Sequence, residues 1–262
     1  MTSAVEMSRD GDVAELVIDR PEARNAVSRA VTDGLDAAIG EVERSQARAV
    51  VLRGGGDRVF VSGGDLKELA RVRDFGEAHE MAVRMRAVLD RLARLPIPVV
   101  AALNGDAYGG GGEVALACDV RIAADDVRMG FTQSQLGIMP AWGGIERLVS
   151  LVGRGRALYL LATGHLVRGS DLATWGLVEE VVARADFDRR WRELAHALCA
   201  VPREALVGIK AVADATVPWV RPTSQVLATE AFARTWVADE HWELAARADE
   251  RRRRRAADAS SA

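Results

Sequence analysis

The chain has 262 residues, 49% of them hydrophobic and 28% charged, and its formal net charge is −3. This length suits one large domain or one domain with an appendage, and the small net charge gives no overall attraction for nucleic acid or a membrane surface. The longest uncharged stretch, residues 129–145, contains glycine, proline and polar side chains throughout, so it is not expected to span a bilayer.

The two cysteines, Cys118 and Cys199, lie in apolar sequence without the spacing of metal ligands. We therefore expect buried free thiols of a reducing compartment, with no disulfide and no metal site. The amino-terminal ten residues carry acidic side chains and no apolar run, which argues against a secretory signal. These features predict a cytoplasmic protein.

The first part of the chain alternates strands with helices. The predicted elements are a hairpin of strands 5–8 and 13–18 around Asp10-Gly11, a helix from Ser28 to about residue 44, an apolar strand at 49–52, a long helix with Met81, Met85, Leu89, Leu92 and Leu95 on one face, and a strand at 99–103. A strand, a helix and a second strand in succession predict a parallel crossover connection.

Two glycine-rich turns each precede a predicted helix. Gly63-Gly64 is followed by Asp65, a residue suited to capping a helix, and four glycines at 109–112 lead to Glu113. Glycines leave backbone N–H groups uncovered, and a helix start adds unpaired amides, so such a turn can bind a phosphate or an oxyanion. Glu113 would then be a candidate proton-transfer group, although a tight turn beside a surface glutamate is an equally simple interpretation.

The second part begins with a strand at 120–123 and an uncharged loop at 129–144, which we expect to line a pocket rather than merely to connect two elements. Short helices follow at 145–151, 156–162 and 170–175, then a last strand at 177–182. After about Phe187 the chain has helical periodicity only. We interpret the five arginines at 251–255 as part of a solvated terminus rather than as a phosphate-binding site.

Four segments together resemble the enoyl-CoA hydratase/isomerase (crotonase) family. They are the motifs RPEARN at 20–25, FVSGGD at 60–65, NGDAYGGGGE at 104–113 and LGIMP at 136–140 followed by Gly143-Gly144. The resemblance implies an α/β crotonase-like spiral of ββα units at 1–190 and a helical C-terminal region at 191–262 that forms trimers, often paired into hexamers. It also implies an acyl-CoA substrate, with coenzyme A as part of the substrate and no other cofactor.

The resemblance assigns roles to individual positions. The amides of Gly64 and Gly110 would correspond to the two oxyanion-hole donors, and Glu113 to the first of two catalytic glutamates. Positions assigned to the coenzyme A channel and the acyl site are Ala23, Arg24, Ser62, Asp65, Leu66, Tyr108, Gly109, Thr132, Leu136 and Ala141. Two glycine turns that aim N–H groups into one pocket are also what stabilisation of a thioester enolate requires.

Gln133 stands where the hydratases of this family carry their second glutamate. An amide can orient a water molecule but cannot transfer its proton. A hydration mechanism that uses two carboxylates therefore lacks its second proton-transferring group here. The segments around Thr132-Gln133, at 139–144 and at 178–182 also resemble the branch that decarboxylates methylmalonyl-CoA or ethylmalonyl-CoA. Three functions therefore stay open: a hydratase-type lyase, a decarboxylase and a non-catalytic acyl-CoA-binding protein.

Two physical expectations follow. Burial beside an uncharged loop should raise the pKa of Glu113 and keep part of it protonated near neutral pH. Large aromatic residues in the C-terminal helices, Trp191, Phe232, Trp236 and Trp242, should require a partner chain, which predicts an obligate oligomer, a trimer or a dimer of trimers.

Overall fold

Two β-sheets form the centre of the part of the chain that the computed structural model describes, residues 4–216 and 222–260. Residues 1–3, which belong to the amino terminus considered above, lie outside the described residues. The strands are β1 Val5–Asp10, β2 Val13–Ile18, β3 Ala49–Gly54, β4 Val59–Val61, β5 Val99–Leu103, β6 Asp106–Tyr108, β7 Val120–Ala124, β8 Arg128–Gly130, β9 Val167–Arg168 and β10 Glu180–Val182.

The larger sheet has the order β1-β2-β3-β5-β7-β10 and the smaller one β4-β6-β8-β9. Neighbouring strands are parallel except for the pairs β1/β2 and β8/β9. The helices are α1 Arg29–Arg44, α2 Leu66–Leu69, α3 Phe75–Ala93, α4 Gly110–Leu116, α5 Gly144–Val152, α6 Arg154–Thr163, α7 Asp171–Thr174, α8 Phe187–Ala200, α9 Arg203–Thr216, α10 Pro222–Trp236 and α11 Asp239–Ser260.

The predicted start of the fold is confirmed. Strands β1 and β2 form an antiparallel hairpin, and Gly11 adopts a φ of +57° in its loop, a conformation that glycine reaches without strain. The Ser28 side chain accepts a hydrogen bond from the Val31 amide, which caps α1. Strand β3 then pairs in parallel with β2, as the crossover connection requires.

The smaller sheet determines where the functional segments lie. Strands β4, β6 and β8 are mutually parallel neighbours, so their carboxyl ends reach the same edge. The turn at 62–65 follows β4, the turn at 109–113 follows β6, and a short 3-10 helix, Thr132–Leu136, follows β8. Sequence patterns did not predict β6 or β8, because strands of three residues carry little periodicity.

Several boundaries differ from the sequence prediction. Between Asp65 and the long α3 lies a separate short helix, α2, and the last strand, β10, begins at Glu180 rather than at residue 177. Cys118 is buried as predicted, but Cys199 is only half-buried, and both thiols are free. The predicted division between the core and the C-terminal region at residue 190 stays a prediction, and this position lies inside α8, whose Trp191 and Ala195 are buried.

The C-terminal helices bury three of the four aromatic residues named above within the chain itself. Trp191, Phe232 and Trp236 are almost fully enclosed, and Trp236 donates its indole N–H to the Val72 carbonyl at 3.0 Å. The expectation that a partner chain is needed to bury these three residues was therefore wrong, whereas Trp242 is only half-buried. Among the described helices, none combines the length and apolar character that crossing a bilayer requires.

Charged side chains pair along α11 in the arginine-rich segment. Arg252 and Arg253 pair with Asp249, and Arg254 pairs with Glu250, one helical turn away. The side chain of Arg255 lies outside the described residues. These exposed pairs agree with a solvated helix face.

The oligomer stays a prediction, now resting on different residues. Ile209 and Val212 of α9 and Val226 and Leu227 of α10 are between 53% and 67% exposed. We expect a trimer or a dimer of trimers in sedimentation at micromolar concentration, and smaller species when Ile209 and Leu227 are both replaced by Asp. A Val83→Asp variant on α3 serves as the control, and a wild-type monomer would contradict the prediction.

Candidate active site

Glu113 is the centre of the site and is only 2% exposed. Its two carboxylate oxygens have different surroundings. The backbone amides of Trp142 and Gly144 donate to Oε2 at 2.8 and 2.9 Å, whereas the Gln133 side-chain amide donates to Oε1 at 3.0 Å. Oε2 is thus held by two fixed backbone donors, and Oε1 faces the side chain of Gln133.

Two consecutive glycines create the space for this arrangement. A Cβ on Gly144 would lie 2.4 Å from Cγ of Glu113, and a Cβ on Gly143 would lie 2.3 Å from Nη1 of Arg147. Gly143 also adopts a φ of +91°, which disfavours other residues. At the start of α5, Gly144 therefore leaves room for the side chain of Glu113, and Gly143 leaves room for that of Arg147.

Burial raises the pKa of Glu113 from its ordinary 4.5 to about 7. The amides of Gly144 and Trp142 and the positive charge of Arg147 oppose this rise, and the negative charge of Glu146 adds to it. The predicted direction is confirmed. The loop itself carries no charged side chain, but α5, which follows it, brings Arg147 and Glu146 close to Glu113.

The two glycine turns meet beside Glu113. Gly63 has a φ of +98°, and a Cβ there would lie 3.2 Å from the Tyr108 carbonyl oxygen and 3.3 Å from the Gly110 amide nitrogen. Within the described residues, the amides of Gly64 and Gly110 donate no hydrogen bond to another protein group. Two neighbouring N–H groups are thus left for an oxygen atom of a ligand.

The Trp142 ring packs over both turns. A Cβ on Gly110 would lie 2.2 Å from Cζ3 of this ring, and a Cβ on Gly64 would lie 3.9 Å from Cη2. Trp142 is itself 8% exposed. Its backbone contacts Glu113 while its ring forms a wall beside the two amides.

The 20–27 segment lies against the first glycine turn. The Ser62 amide donates to the Arg24 carbonyl at 3.2 Å, and the Asp65 amide donates to the Val27 carbonyl at 2.9 Å. The Asp65 carboxylate pairs with Arg20 at 3.0 Å and caps α2 by accepting from the Glu68 amide. The structure thus brings together the segments that carry Ala23, Arg24, Ser62, Asp65 and Leu66, whose part in binding coenzyme A stays a prediction.

The remaining predicted positions lie on the second and third segments. The Tyr108 ring is 5.8 Å from the Arg24 guanidinium and 5.7 Å from that of Arg128, and its hydroxyl donates to Asp106. Thr132 approaches Gly109, where a Cβ would lie 3.5 Å from its Oγ1. The predicted contacts of Leu136 and Ala141 with substrate stay predictions.

Sequence reasoning missed two parts of this arrangement. The amides of Trp142 and Gly144 hold Glu113, and Gly143-Gly144 before α5 repeats the glycine-before-helix pattern of the other two turns, which was a usable signal. From the far end of the chain, His241 packs its Nδ1 2.7 Å from the Leu136 carbonyl oxygen. The described residues hold no group of three or more His, Cys, Asp or Glu side chains placed to bind a metal ion.

Comparisons with known proteins show which family this chain resembles. A family model described as enoyl-CoA hydratase/isomerase matches residues 8–253. A short-chain-enoyl-CoA hydratase of Clostridium acetobutylicum is 37% identical over 191 residues, covering 72% of this chain and 73% of the relative.

Solved structures show the same architecture. The crystal structure of an enoyl-CoA hydratase from Bacillus anthracis superposes with a TM-score of 0.78 at 31% identity, covering 88% of this chain and 89% of that one. A carnitinyl-CoA hydratase from Mycobacterium avium superposes with a TM-score of 0.83 at 30% identity, covering 96% and 97%. The predicted crotonase-like α/β fold is confirmed.

The close fit at Gly144 predicts that Gly144→Ala destabilises the protein by about 1 to 3 kcal/mol, because the added methyl group overpacks against Glu113. Gly155→Ala is the matched control, since Gly155 also lies at a helix start but has no atom within 4 Å of its Cβ position. We expect this control to be neutral or slightly stabilising in urea unfolding. Equal losses in both variants would contradict the packing argument.

The raised pKa of Glu113 predicts a pH-dependent stability cost. The folded chain holds this proton more tightly than the unfolded chain, so its contribution to stability falls as pH rises from 4.5 to about 7 and is constant above. Relative to Glu113→Gln, the wild type should lose roughly 2 to 3 kcal/mol between about pH 5 and about pH 8 in urea unfolding. Parallel pH curves for the two proteins would show that Glu113 ionises normally.

Proposed function

The chain belongs to the enoyl-CoA hydratase/isomerase family, and we propose that it adds water to an enoyl-CoA thioester through a thioester enolate. The observation that carries the proposal is one buried carboxylate, Glu113, beside two neighbouring amides, those of Gly64 and Gly110, which have no hydrogen-bond partner among the described residues. The family membership supplies an acyl-CoA as the substrate. The contacts of Glu113 and Gln133 supply the mechanism.

The amides of Gly64 and Gly110 hold the thioester oxygen. As water attacks the β-carbon of the double bond, electrons move to this oxygen and the enolate forms. A fixed donor aimed at such an oxygen contributes on the order of 3 kcal/mol to the barrier reduction. Both amides belong to turns at the edge of the smaller sheet, so their positions are set before substrate binds.

Glu113 moves the proton through Oε1. Because Oε2 already accepts two backbone hydrogen bonds, Oε1 is the oxygen that can take a proton. It accepts a proton from the attacking water, the remaining hydroxyl bonds to the β-carbon, and the same proton passes to the α-carbon as the enolate collapses. One carboxylate with a pKa of about 7 can perform both transfers near neutral pH.

Gln133 orients the water. Its Nε2 donates to Glu113, and its Oε1 is buried with no hydrogen-bond partner among the described residues. A water molecule that donates one hydrogen to this oxygen directs its other hydrogen toward Glu113. The amide has no proton to transfer, which leaves all proton transfer to Glu113.

A decarboxylase is the second candidate, and the pKa of Glu113 favours it. In a malonyl-type thioester the bond between the α-carbon and the carboxylate breaks, CO₂ leaves, and the electron pair forms the same enolate. A protonated Glu113 does not repel the substrate carboxylate and then gives its proton to the α-carbon. A non-catalytic binder would gain nothing from burying this carboxylate, which costs free energy.

The test is to measure hydration of crotonyl-CoA and release of CO₂ from methylmalonyl-CoA side by side. We expect Gln133→Glu to raise hydration, because it restores a second carboxylate, and to impair any decarboxylation by adding negative charge. Glu113→Gln should lower the parent activity by at least ~100-fold, since no other group at this site transfers the proton.

The outcomes separate the candidates. Hydration without CO₂ release supports the proposal, and CO₂ release without hydration supports the decarboxylase. Fast hydration that Gln133→Glu leaves unchanged would mean that another group supplies a proton. Binding of both thioesters without turnover would leave the non-catalytic binder.

A further inference from the structure

Arg147 lies directly behind the segment that holds Glu113. It is buried in α5, its Nη1 donates to the Trp142 carbonyl at 3.0 Å, and its Nη2 donates to Asp90 Oδ1 at 2.6 Å. Asp90 belongs to α3 and is also buried, so the guanidinium bridges two elements that are distant in sequence. The Trp142 residue is thus held on both sides, through its N–H on Glu113 and its C=O on Arg147.

We propose that Arg147, anchored by Asp90, is a positioning residue that holds the Trp142 backbone so that its N–H stays on Oε2 of Glu113. The planar guanidinium suits this task because its separate N–H groups reach a carbonyl and a carboxylate at once. The proposal deepens the proposed function, since it concerns the group that transfers the proton. Its structural part does not depend on which reaction the enzyme catalyses.

The charges around Glu113 come from two helices. Helix α5 contributes Arg147 and Glu146, and α3 contributes Arg86 and Asp90. Arg86 pairs with Glu146 at 2.8 Å and with Asp90 at 3.6 Å. The four charges cancel in sum, while Arg147 stabilises the ionised form of Glu113.

A purely structural role makes a different prediction. Within the described residues, Arg86 Nη1 and Glu146 Oε2 are buried without hydrogen-bond partners, so the network carries a desolvation cost. Replacing a buried ion pair by neutral groups is often neutral or stabilising. If Arg147 and Asp90 only filled space, a neutral pair would leave the titration of Glu113 unchanged.

The experiment compares two neutralised pairs. The test variant is Asp90→Asn with Arg147→Gln. The matched control is Arg86→Gln with Glu146→Gln, which removes a pair from the same network that, within the described residues, makes no hydrogen bond to the Trp142 carbonyl. The readout is carbon-13 NMR titration of the Glu113 carboxyl group, assigned with Glu113→Gln. Hydrogen exchange of the Trp142 amide is the second readout.

We expect the Glu113 midpoint to rise by on the order of one pH unit in the test variant and not to rise in the control. The Trp142 amide should exchange faster in the test variant only. An unchanged midpoint and unchanged exchange in a folded test variant would overturn the proposal.

The variant Arg147→Lys distinguishes a positioning role of Arg147 from a role of its charge alone. It also provides the test if the double variant does not fold. An ammonium group keeps the charge but cannot bridge the Trp142 carbonyl and Asp90 as a guanidinium does. We expect a raised midpoint and faster Trp142 exchange in this variant too, and wild-type values would mean that Arg147 acts through its charge alone. Because neither readout uses turnover, a chain that fails to hydrate crotonyl-CoA would reject the proposed reaction while leaving this test intact.

Discussion

Burial of the Glu113 carboxylate is the constraint on which the rest of the site depends. A carboxylate removed from water must find hydrogen-bond donors or stay protonated. This chain does both in part: two backbone amides hold Oε2, one side-chain amide reaches Oε1, and the pKa settles at about 7. The donors come from segments 20 and 29 to 31 residues further along, so the fold must bring three segments to one point.

Parallel pairing of short strands accomplishes this. Strands β4, β6 and β8 end at one edge of the smaller sheet, and the chain leaves each of them in a turn that reaches the site. The glycines follow from the crowding at that edge. A Cβ on Gly111 would lie 1.8 Å from the Val61 carbonyl oxygen, and one on Gly110 would enter the Trp142 ring. Glycine is needed there for close approach as much as for its freedom of φ.

A feature could be predicted from the sequence where it depends on neighbouring residues, and could not where it depends on tertiary contacts. The glycine turns, Glu113 and Gln133 lie in segments whose order along the chain resembles that of the enoyl-CoA hydratase/isomerase family, and this resemblance was enough to predict that they share one site. The Asp90–Arg147 pair joins residues 57 positions apart on two helices, and neither helix has a pattern that marks the pairing. Strands β6 and β8 are too short to show a period, and their pairing follows from tertiary contacts. For the same reason Trp191, Phe232 and Trp236 suggested a partner chain although their own chain buries them.

The two carboxylate oxygens of Glu113 have different surroundings, and this difference explains why an amide suits position 133. With Glu113 ionised, Nε2 of Gln133 donates to Oε1, as observed. With Glu113 protonated, a rotated amide can accept a hydrogen bond from the carboxyl O–H through its oxygen, because an amide presents a donor and an acceptor on one planar group. A second carboxylate at this position would repel the ionised form and raise the pKa of Glu113 further. An amide therefore accommodates both protonation states of a single buried acid, which is what a site with one proton-transferring group requires.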